Sequence, residues 1–226
     1  MSNIVFGKNS FFEALNNKRI IKAYVLNDKD IKDKHIDYEV VDRKVLDKMT
    51  KSGNHQGYVA EVKEFKMSSV KEMIKDKNGL IVMLDGIQDV HNLGAIIRTC
   101  ECAGVDGVIY KAHDSARVND TVAKVASGAL EYMKVAEVNN LVNTLKELKK
   151  NGYWVVGSDG YADKYYTDID YKMNTVLVIG SEGKGMSRLV REECDFIVKL
   201  PMYGKVTSLN ASVAAGILIY NAIRER

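Results

Sequence analysis

The sequence predicts an α/β protein in which a mostly parallel sheet carries helices on both faces and follows a small α/β domain. Through residues 79–226, short apolar runs alternate with stretches of helical periodicity, and this rhythm is typical of parallel sheets. The run GLIVMLD at 79–85 is almost wholly apolar, as a strand covered on both faces tends to be. Only 3 of the 17 glycines lie before residue 79, so the chain divides into two regions.

The N-terminal region alternates between helical and strand periodicity. In chain order we expect a helix, two strands, a second helix and a third strand at FFEALNN, IIKAYVLN, YEVVD, RKVLDKMTK and GYVAEVKEF. These elements predict a small domain over residues 1–66. The segment 67–78 that follows is polar and mostly charged, so we expect it to link the two domains.

The C-terminal region, residues 79–226, is predicted to form the larger domain. After its first strand we expect a helix over 92–104, with Asn92 at its start and Gly104 at its end. The next elements are expected as strand, helix, helix, strand, strand, helix and strand at VDGVIY, NDTVAKVASGALEYM, NNLVNTLKELKKNG, YWVVGSD, NTVLVIG, GMSRLVREEC and DFIVKL. A last helix is predicted from about Asn210 to Arg224.

The charge balance and the cysteines restrict the class of protein. The net charge is +3, but residues 1–78 carry 16 Lys and Arg against 12 Asp and Glu. This surplus fits either a polyanion partner or an ordinary solvated face. Three cysteines without a C-x-x-C pair argue against a disulfide framework and a zinc site. No apolar run approaches the ~18 residues of a membrane helix, so we expect a cytoplasmic protein without a membrane segment.

Three loops follow predicted strands and are rich in polar residues or glycine: DGIQDVHN, GSEGKGM and PMYGKVTSLN. Ligands of parallel sheets bind at the carboxyl ends of the strands, so these loops predict a site. The first loop has one glycine, which disfavours a dinucleotide fingerprint, and GSEGKG lacks the spacing of a phosphate loop. The site therefore belongs to another chemistry.

Five polar side chains in or next to these loops are candidate site residues: Asn92, Arg98, Glu182, Ser208 and Asn210. Asn92, Ser208 and Asn210 have an alternative role as helix caps, and Glu182 has one as a charge at a helix N-terminus. Arg98 lies in the apolar stretch LGAIIRTC. Burying its guanidinium is costly unless it meets a partner or a ligand phosphate, so Arg98 fits a purely structural role least well.

The segments that hold these residues resemble a known family. LDGIQDVHNLGAIIRTCECAGVDGVI, VLVIGSEGKGMSRLV and LPMYGKVTSLNASVAAGILIY resemble, in order and spacing, the three motifs of the SpoU (TrmH-like) RNA 2′-O-ribose methyltransferases of the SPOUT class. This resemblance covers residues 79–226. FGKNSFFEAL, IIKAYVL and HQGYVAEV resemble the substrate-binding domain of the RlmB-like branch, which modifies a guanosine of large-subunit (23S) ribosomal RNA.

The resemblance implies S-adenosylmethionine as cofactor, no metal, and a homodimer with each active site at the interface. It also implies a C-terminal trefoil knot, an exception to ordinary topology, whose loops bind the cofactor. Asn92 and Arg98 match motif one, Glu182 motif two, and Ser208 and Asn210 motif three. Backbone contacts with the cofactor are implied for the remaining matched positions, Gly180, Leu200, Met202 and Leu209.

The implied reaction is an in-line attack of a ribose 2′-oxygen on the sulfonium methyl group, for which orientation and removal of a proton are needed. Arg98 is then either the base or the holder of the adjacent phosphate; a guanidinium hardly yields its proton, so we favour the second role. Two alternatives stay open: a transfer RNA substrate modified at a D-loop guanosine, and a non-catalytic RNA-binding or ribosome-assembly protein.

Overall fold

The computed structural model describes residues 3–51, 53–224 and 226, so residues 1 and 2 of the predicted first domain lie outside it. The chain folds into two compact units. Unit 1 holds the residues up to Lys66 together with Val118–Tyr132, and unit 2 holds Met67–Arg117 and Met133–Arg226. The chain therefore passes between the units three times.

Unit 1 contains a four-stranded sheet and two helices from the N-terminal region. Their bounds are β1 (Asn3–Phe6), α1 (Lys8–Asn16), β2 (Ile20–Val25), β3 (Tyr38–Val40), α2 (Arg43–Met49) and β4 (Tyr58–Val62). The strand order is β1-β4-β2-β3, in which only β2 and β3 are parallel. All five elements expected here are present. Strand β1 was not predicted.

The remaining part of unit 1 comes from far along the chain. Helix α4 (Asp120–Ala126) packs on β1, and a single 3₁₀ turn follows at Ala129–Glu131. Arg19 forms an ion pair with Glu131. Burial raises the pKa of Glu131 although Arg19 opposes that shift. The predicted domain bounds place this helix in the larger domain, whereas the structure groups it with the N-terminal residues.

Unit 2 is built on a seven-stranded sheet. Its elements are β5 (Leu80–Asp85), α3 (Val90–Cys102), β6 (Gly107–Lys111), β7 (Val135–Val138), α5 (Leu141–Lys150), β8 (Trp154–Ser158), β9 (Lys164–Tyr165), β10 (Thr175–Gly180), α6 (Arg188–Glu192), β11 (Phe196–Lys199) and α7 (Ala211–Arg224). The order is β7-β6-β5-β10-β8-β11-β9, and the pairings are parallel. Strands β7 and β9 lie at the two edges and were not predicted.

Helices cover both faces of this sheet. All six residues of β5 are buried, and alternate side chains of a strand point to opposite faces. On one face Ile81 and Met83 pack in a core cluster with Leu145 and Leu148 of α5. On the other, α3 and α7 pack against each other and against the sheet. The predicted fold class is confirmed; the trefoil knot stays a prediction.

The segment expected to be a linker packs onto unit 2. Met73 is fully buried in the same core cluster, with Val70 and Ile74 packed against it. A β-carbon on Gly107 would lie 2.3 Å from the Met73 sulfur, so the side chain fits only because glycine is opposite. Residues 70–74 therefore contribute to the core instead of forming a loose tether. In the part of the chain that the structure describes, no helix is long and apolar enough to cross a membrane.

Candidate functional site

Three loops meet at one edge of the large sheet. Residues 86–89 follow β5, residues 181–187 follow β10, and residues 200–210 follow β11. Strands β5 and β10 are direct neighbours, while β11 is separated from β10 by β8. Because the strands are parallel, their carboxyl ends share an edge. The third loop therefore crosses two strand positions of the sheet before its last residue lies beside the first two loops.

Asn92, Glu182 and Asn210 form one hydrogen-bonded cluster at this edge. The Asn92 amide donates to Glu182 Oε1 at 3.0 Å. The Asn210 amide donates to Asn92 Oδ1 and to Glu182 Oε1, both at 2.9 Å. One candidate from each of the three loop regions is therefore brought into direct contact, although 118 residues separate Asn92 from Asn210.

Glu182 is the common acceptor of the cluster. Its Oε1 also accepts a hydrogen bond from the backbone N–H of Ala211 at 3.1 Å. A carboxylate only accepts, and it is favoured at a helix N-terminus by the helix dipole. The helix that Glu182 stabilises is α7, which begins at Ala211, and not α6, which follows it in sequence. Charge and geometry together fix the start of α7 against the loop after β10.

Asn210 is both a helix cap and a member of the cluster. Its Oδ1 accepts from the backbone N–H groups of Ser212 at 2.9 Å and Val213 at 3.4 Å, and from the Ser212 hydroxyl at 2.6 Å. Its amide group is then directed at Glu182. Ser208 lies two residues before the cap and is exposed, and its hydroxyl has no partner among the described residues. The cap role predicted for Asn210 is confirmed, and that for Ser208 is wrong.

Asn92 is not a cap. Helix α3 begins earlier, at Val90, and its cap is Asp89, which accepts from the His91 N–H at 2.8 Å. Asn92 lies within the first turn and is 6% exposed. Its side chain is therefore free to bridge Glu182 and Asn210. The cap lies three positions earlier in the sequence than the residue that was expected to begin this helix.

Arg98 is exposed, and its guanidinium has no hydrogen bond or ion pair with the described residues. The expectation that Arg98 is buried in the apolar face of α3 is wrong for the single chain, because Ile96, Ile97 and Cys100 fill that face. Six residues after Asn92, a helix has turned by about 240° and risen by about 9 Å. Arg98 thus points away from the cluster of its own chain.

Residues 181–185 form a tight hairpin after β10. Ser181 and Gly185 exchange two backbone hydrogen bonds of 3.0 Å, and Gly185 has a φ of 65°. A β-carbon on Gly180 would lie 2.3 Å from the backbone carbon of Gly185. Glycine at 180 is thus required by this fold-back, whether or not a ligand contacts it. Asp85 fixes the far side of the hairpin by accepting from the Ser187 N–H at 2.6 Å.

Asp159, beyond the end of β8, anchors another part of the same edge. It accepts a hydrogen bond from the Tyr161 N–H at 2.9 Å and one from the Arg191 guanidinium at 3.0 Å. These two groups hold the pKa of the Asp159 carboxyl below its usual range. The carboxylate is therefore charged at neutral pH and ties the loop after β8 to α6.

A cavity of about 230 Å³ lies beside the cluster. It is lined by Gly86, Ile87, Gln88, Asp89, Asn92, Ser181, Glu182 and Lys184. Of the residues expected to contact a cofactor, Met202 and Leu209 are exposed and Leu200 is half-buried. Within the described residues, no group of three or more His, Cys, Asp or Glu could hold a metal ion. The carboxyl edge of the sheet thus combines a polar cluster with the loop after β11, in which apolar side chains are exposed.

The cluster consists of two amides and a carboxylate that bond to one another and to the first turn of α7. Such a network holds chain segments in a fixed geometry and offers no serine, cysteine or histidine nucleophile. It suits a reaction in which orientation of two bound reactants is the main requirement. Sequence reasoning missed Asp85 and Asp89, which position the loops; the only signal was the place of Asp85 at the end of the first strand and of Asp89 in the loop after it.

Two protein-family models match the chain. The SpoU rRNA methylase family matches residues 79–220, and the RNA 2′-O ribose methyltransferase substrate-binding family matches residues 4–68. Together they cover both predicted domains.

Relatives and solved structures agree with these matches. A Bacillus subtilis protein named as a TrmH-family tRNA/rRNA methyltransferase, YacO, is 42% identical over 238 residues, covering 98% of this chain and 95% of the relative. The fold is similar to an rRNA methyltransferase of Sinorhizobium meliloti with bound S-adenosylmethionine, with a TM-score of 0.88, 24% identity and coverage of 99% and 87%. A TrmH/SpoU tRNA modifying enzyme of A. aeolicus matches with a TM-score of 0.61, 34% identity and coverage of 69% and 79%.

Proposed function

Because the chain belongs to the SpoU rRNA methylase family, an RNA methyltransferase family that uses S-adenosylmethionine, we propose that it methylates a ribose 2′-hydroxyl of RNA. The substrate we propose is a guanosine of large-subunit ribosomal RNA. The observation that supports this best is the cluster of Asn92, Glu182 and Asn210, which joins the three segments that match the family's motifs.

The cluster's role in this proposal is to orient the two reactants. The cofactor's sulfonium is already an activated methyl donor, so the protein has to align the 2′-oxygen with it and help remove a proton. Asn92 and Asn210 are fixed by Glu182 and by the cap of α7. Both amide hydrogens of Asn210 are used within the cluster, whereas Asn92 donates only one of its two, so in this proposal the second one is left for a reactant.

The cofactor is proposed to lie against the backbone of Gly180, Leu200, Met202 and Leu209. Met202 and Leu209 are large apolar side chains that are 38% and 37% exposed. Uncovered apolar groups in a loop at the carboxyl edge suit an adenine ring, with backbone amides and carbonyls reading its polar rim. The knot of the family would be the topology that holds this loop in place.

We propose a homodimer that completes the site. Helix α7 exposes Val213, Ile217 and Tyr220, at i, i+4 and i+7, which is one continuous helix face. Arg98 is exposed on α3, the helix that packs beside α7. Pairing through this face would bring the partner subunit's Arg98 to the cluster, where it would hold the phosphate next to the reacting ribose.

Methyl transfer from labelled S-adenosylmethionine tests the proposal. Ribosomal RNA fragments and transfer RNA are offered separately, the products are mapped for 2′-O-methyl groups, and Asn210→Ala is the control. We expect a single 2′-O-methylguanosine in the large-subunit RNA and none with the variant. Label in transfer RNA alone would favour the D-loop alternative. Cofactor binding without transfer to any RNA would favour a non-catalytic protein. Label on a base would show that the 2′-hydroxyl is not the group that is methylated.

A further inference from the structure

Most of the basic surplus of the N-terminal region is concentrated on and just after α2. The segment 43–51, RKVLDKMTK, holds four basic residues and one acidic residue. Residues 1–78 as a whole have 16 basic and 12 acidic residues, so this segment carries three of the four surplus charges. The preceding loop, 28–37, has four aspartates beside three lysines and is close to balanced.

The four cations of this segment are exposed and unpaired. Arg43, Lys44, Lys48 and Lys51 are all exposed, and their side chains form no hydrogen bond or ion pair with the residues that the structure describes. Two other cations of unit 1 are paired, Arg19 with Glu131 and Lys22 with Glu39. The charges of α2 are therefore available to an external anion.

The only acidic side chain of the segment is held by a buried histidine. His55 is 3% exposed, and its Nδ1 accepts a hydrogen bond from the Gly57 N–H at 3.0 Å. The ring proton is thus placed on Nε2, which donates to Asp47 at 3.2 Å. Asp47 is thus tied to His55, and among the described residues it forms no ion pair with the four cations of the segment.

The outer face of α2 has like charges at a spacing that weakens a helix. Leu46 is fully buried and Thr50 is 8% exposed, which fixes the inner side of the segment. Lys44 and Lys48 lie on the opposite side, four residues apart. Equal charges at i and i+4 destabilise a helix, and an external anion between them would remove that repulsion. The buried inner side anchors the backbone of α2, from which both exposed lysine side chains extend.

We propose that Lys44 and Lys48, supported by Arg43 and Lys51, bind the phosphate backbone of the RNA substrate. This inference rests on the proposed function, since it assigns the surface by which unit 1 holds the RNA. Phosphate is the anion that recurs at such spacing on one macromolecule, and lysine binds it as a point charge. A lipid surface fits less well, because a membrane-bound helix needs a broad apolar face and the exposed apolar residue of α2 is Val45 alone.

The test compares two double variants of equal charge change in the same unit. The variant K44Q/K48Q removes the proposed phosphate contacts, and K32Q/K34Q removes two exposed lysines from the balanced loop. Binding of a large-subunit ribosomal RNA fragment is measured by fluorescence anisotropy over a salt series. We expect K44Q/K48Q to bind about 10-fold more weakly and to lower the slope of log K against log salt by about 2, one unit for each phosphate contact. The control should change neither quantity appreciably.

Further measurements separate this inference from the proposed function. Calorimetry with S-adenosylmethionine and the turnover number at saturating RNA should be unchanged in K44Q/K48Q, while its KM for RNA rises. Equal RNA affinities and salt slopes for the two double variants would show that the α2 surface does not bind the RNA. The proposal of methyl transfer would be unaffected. Absence of transfer by the wild type, with binding still dependent on Lys44 and Lys48, would overturn the proposed function only. Binding to phosphatidylserine vesicles that depends on these lysines, without an effect on RNA, would also overturn the inference.

Discussion

The carboxylate of Glu182 and the side-chain amide of Asn210 are joined by a hydrogen bond of 2.9 Å across 28 residues of chain. This bond connects the hairpin after β10 with the residue that caps α7. Asn92 closes the triangle from α3. The position of each of these helices therefore depends on a loop that is distant from it in sequence.

Replacing Glu182 is expected to disconnect the three segments. In Glu182→Ala, three N–H groups lose their acceptor, so we expect methyl transfer to fall by roughly 10²-fold, as small misplacements of reactants do. Glu182→Gln keeps one acceptor oxygen without the charge and should fall between the wild type and Glu182→Ala. Single-turnover transfer and thermal unfolding measure the two effects. A wild-type rate for Glu182→Ala would show that the cluster does not orient the reactants.

Asn210→Asp separates the two roles of this residue. Aspartate caps a helix as well as asparagine does, but it offers no amide to Glu182 and places two carboxylates together. We expect α7 to keep its helical content while methyl transfer is lost. Asn210→Ala, which also removes the cap, should cost a further stability of about 1 kcal/mol. Circular dichroism melts beside activity assays decide this, and an active Asn210→Asp enzyme would contradict it.

Arg98 variants test whether each site is shared between two chains. Arg98→Lys keeps the charge but loses the planar fork, so we expect cofactor binding to persist and transfer to fall at least about 10-fold. Arg98→Ala and Asn210→Ala should each be inactive, and a mixture exchanged into mixed dimers should recover roughly a quarter of wild-type sites. No recovery in dimers shown to have exchanged would mean that each chain uses its own Arg98.

Gly180→Ala is expected to open the hairpin after β10. The added β-carbon would lie 2.3 Å from the Gly185 carbon and 2.4 Å from the Met186 nitrogen, and backbone atoms cannot move aside as a side chain does. We expect a loss of about 1–3 kcal/mol in the free energy of unfolding together with weaker cofactor binding. Gly160→Ala is the matched control, since a β-carbon there meets nothing within 4 Å. Equal stabilities would refute the steric explanation.

Asp159→Asn should make stability less dependent on pH. The Tyr161 N–H and the Arg191 guanidinium lower the pKa of Asp159 from 3.8. The ionised group therefore stabilises the folded state above pH 3.8, and this contribution is lost as the pH falls through the lowered pKa. Urea unfolding should show the wild type as more stable at about pH 5 to 7 and the difference shrinking toward about pH 3. A difference that grows on acidification would reverse the assignment.

The sequence predicted the sheet elements with strong patterns and missed those without them. Strands β1, β7 and β9 have two to four residues and form edges, where pairing with a neighbour decides the structure more than composition does. Asn210 was predicted both as a cap and as a site residue, because the turn and the apolar helix after it are local signals. Its contact with Asn92 could be inferred only through family resemblance.

Two errors about single residues have a common physical origin. The cap role considered for Asn92 and the apolar surroundings considered for Arg98 are both wrong, because a linear stretch does not show which way each side chain points. The true start of α3 at Val90, set by Asp89, shifts both residues around the helix axis. One direct consequence is that Arg98 faces solvent, as the proposed dimer requires.

The triple passage of the chain between the two units constrains how such proteins can recombine in evolution. Replacing only the first 66 codons would bring in a foreign partner for residues 118–132, which unit 1 requires. The ion pair of Arg19 with Glu131 and the hydrogen bond of the Tyr132 hydroxyl with Glu13 would then be lost. We therefore expect the two segments to vary together. A lineage that exchanges its amino-terminal module is expected to change residues 118–132 as well.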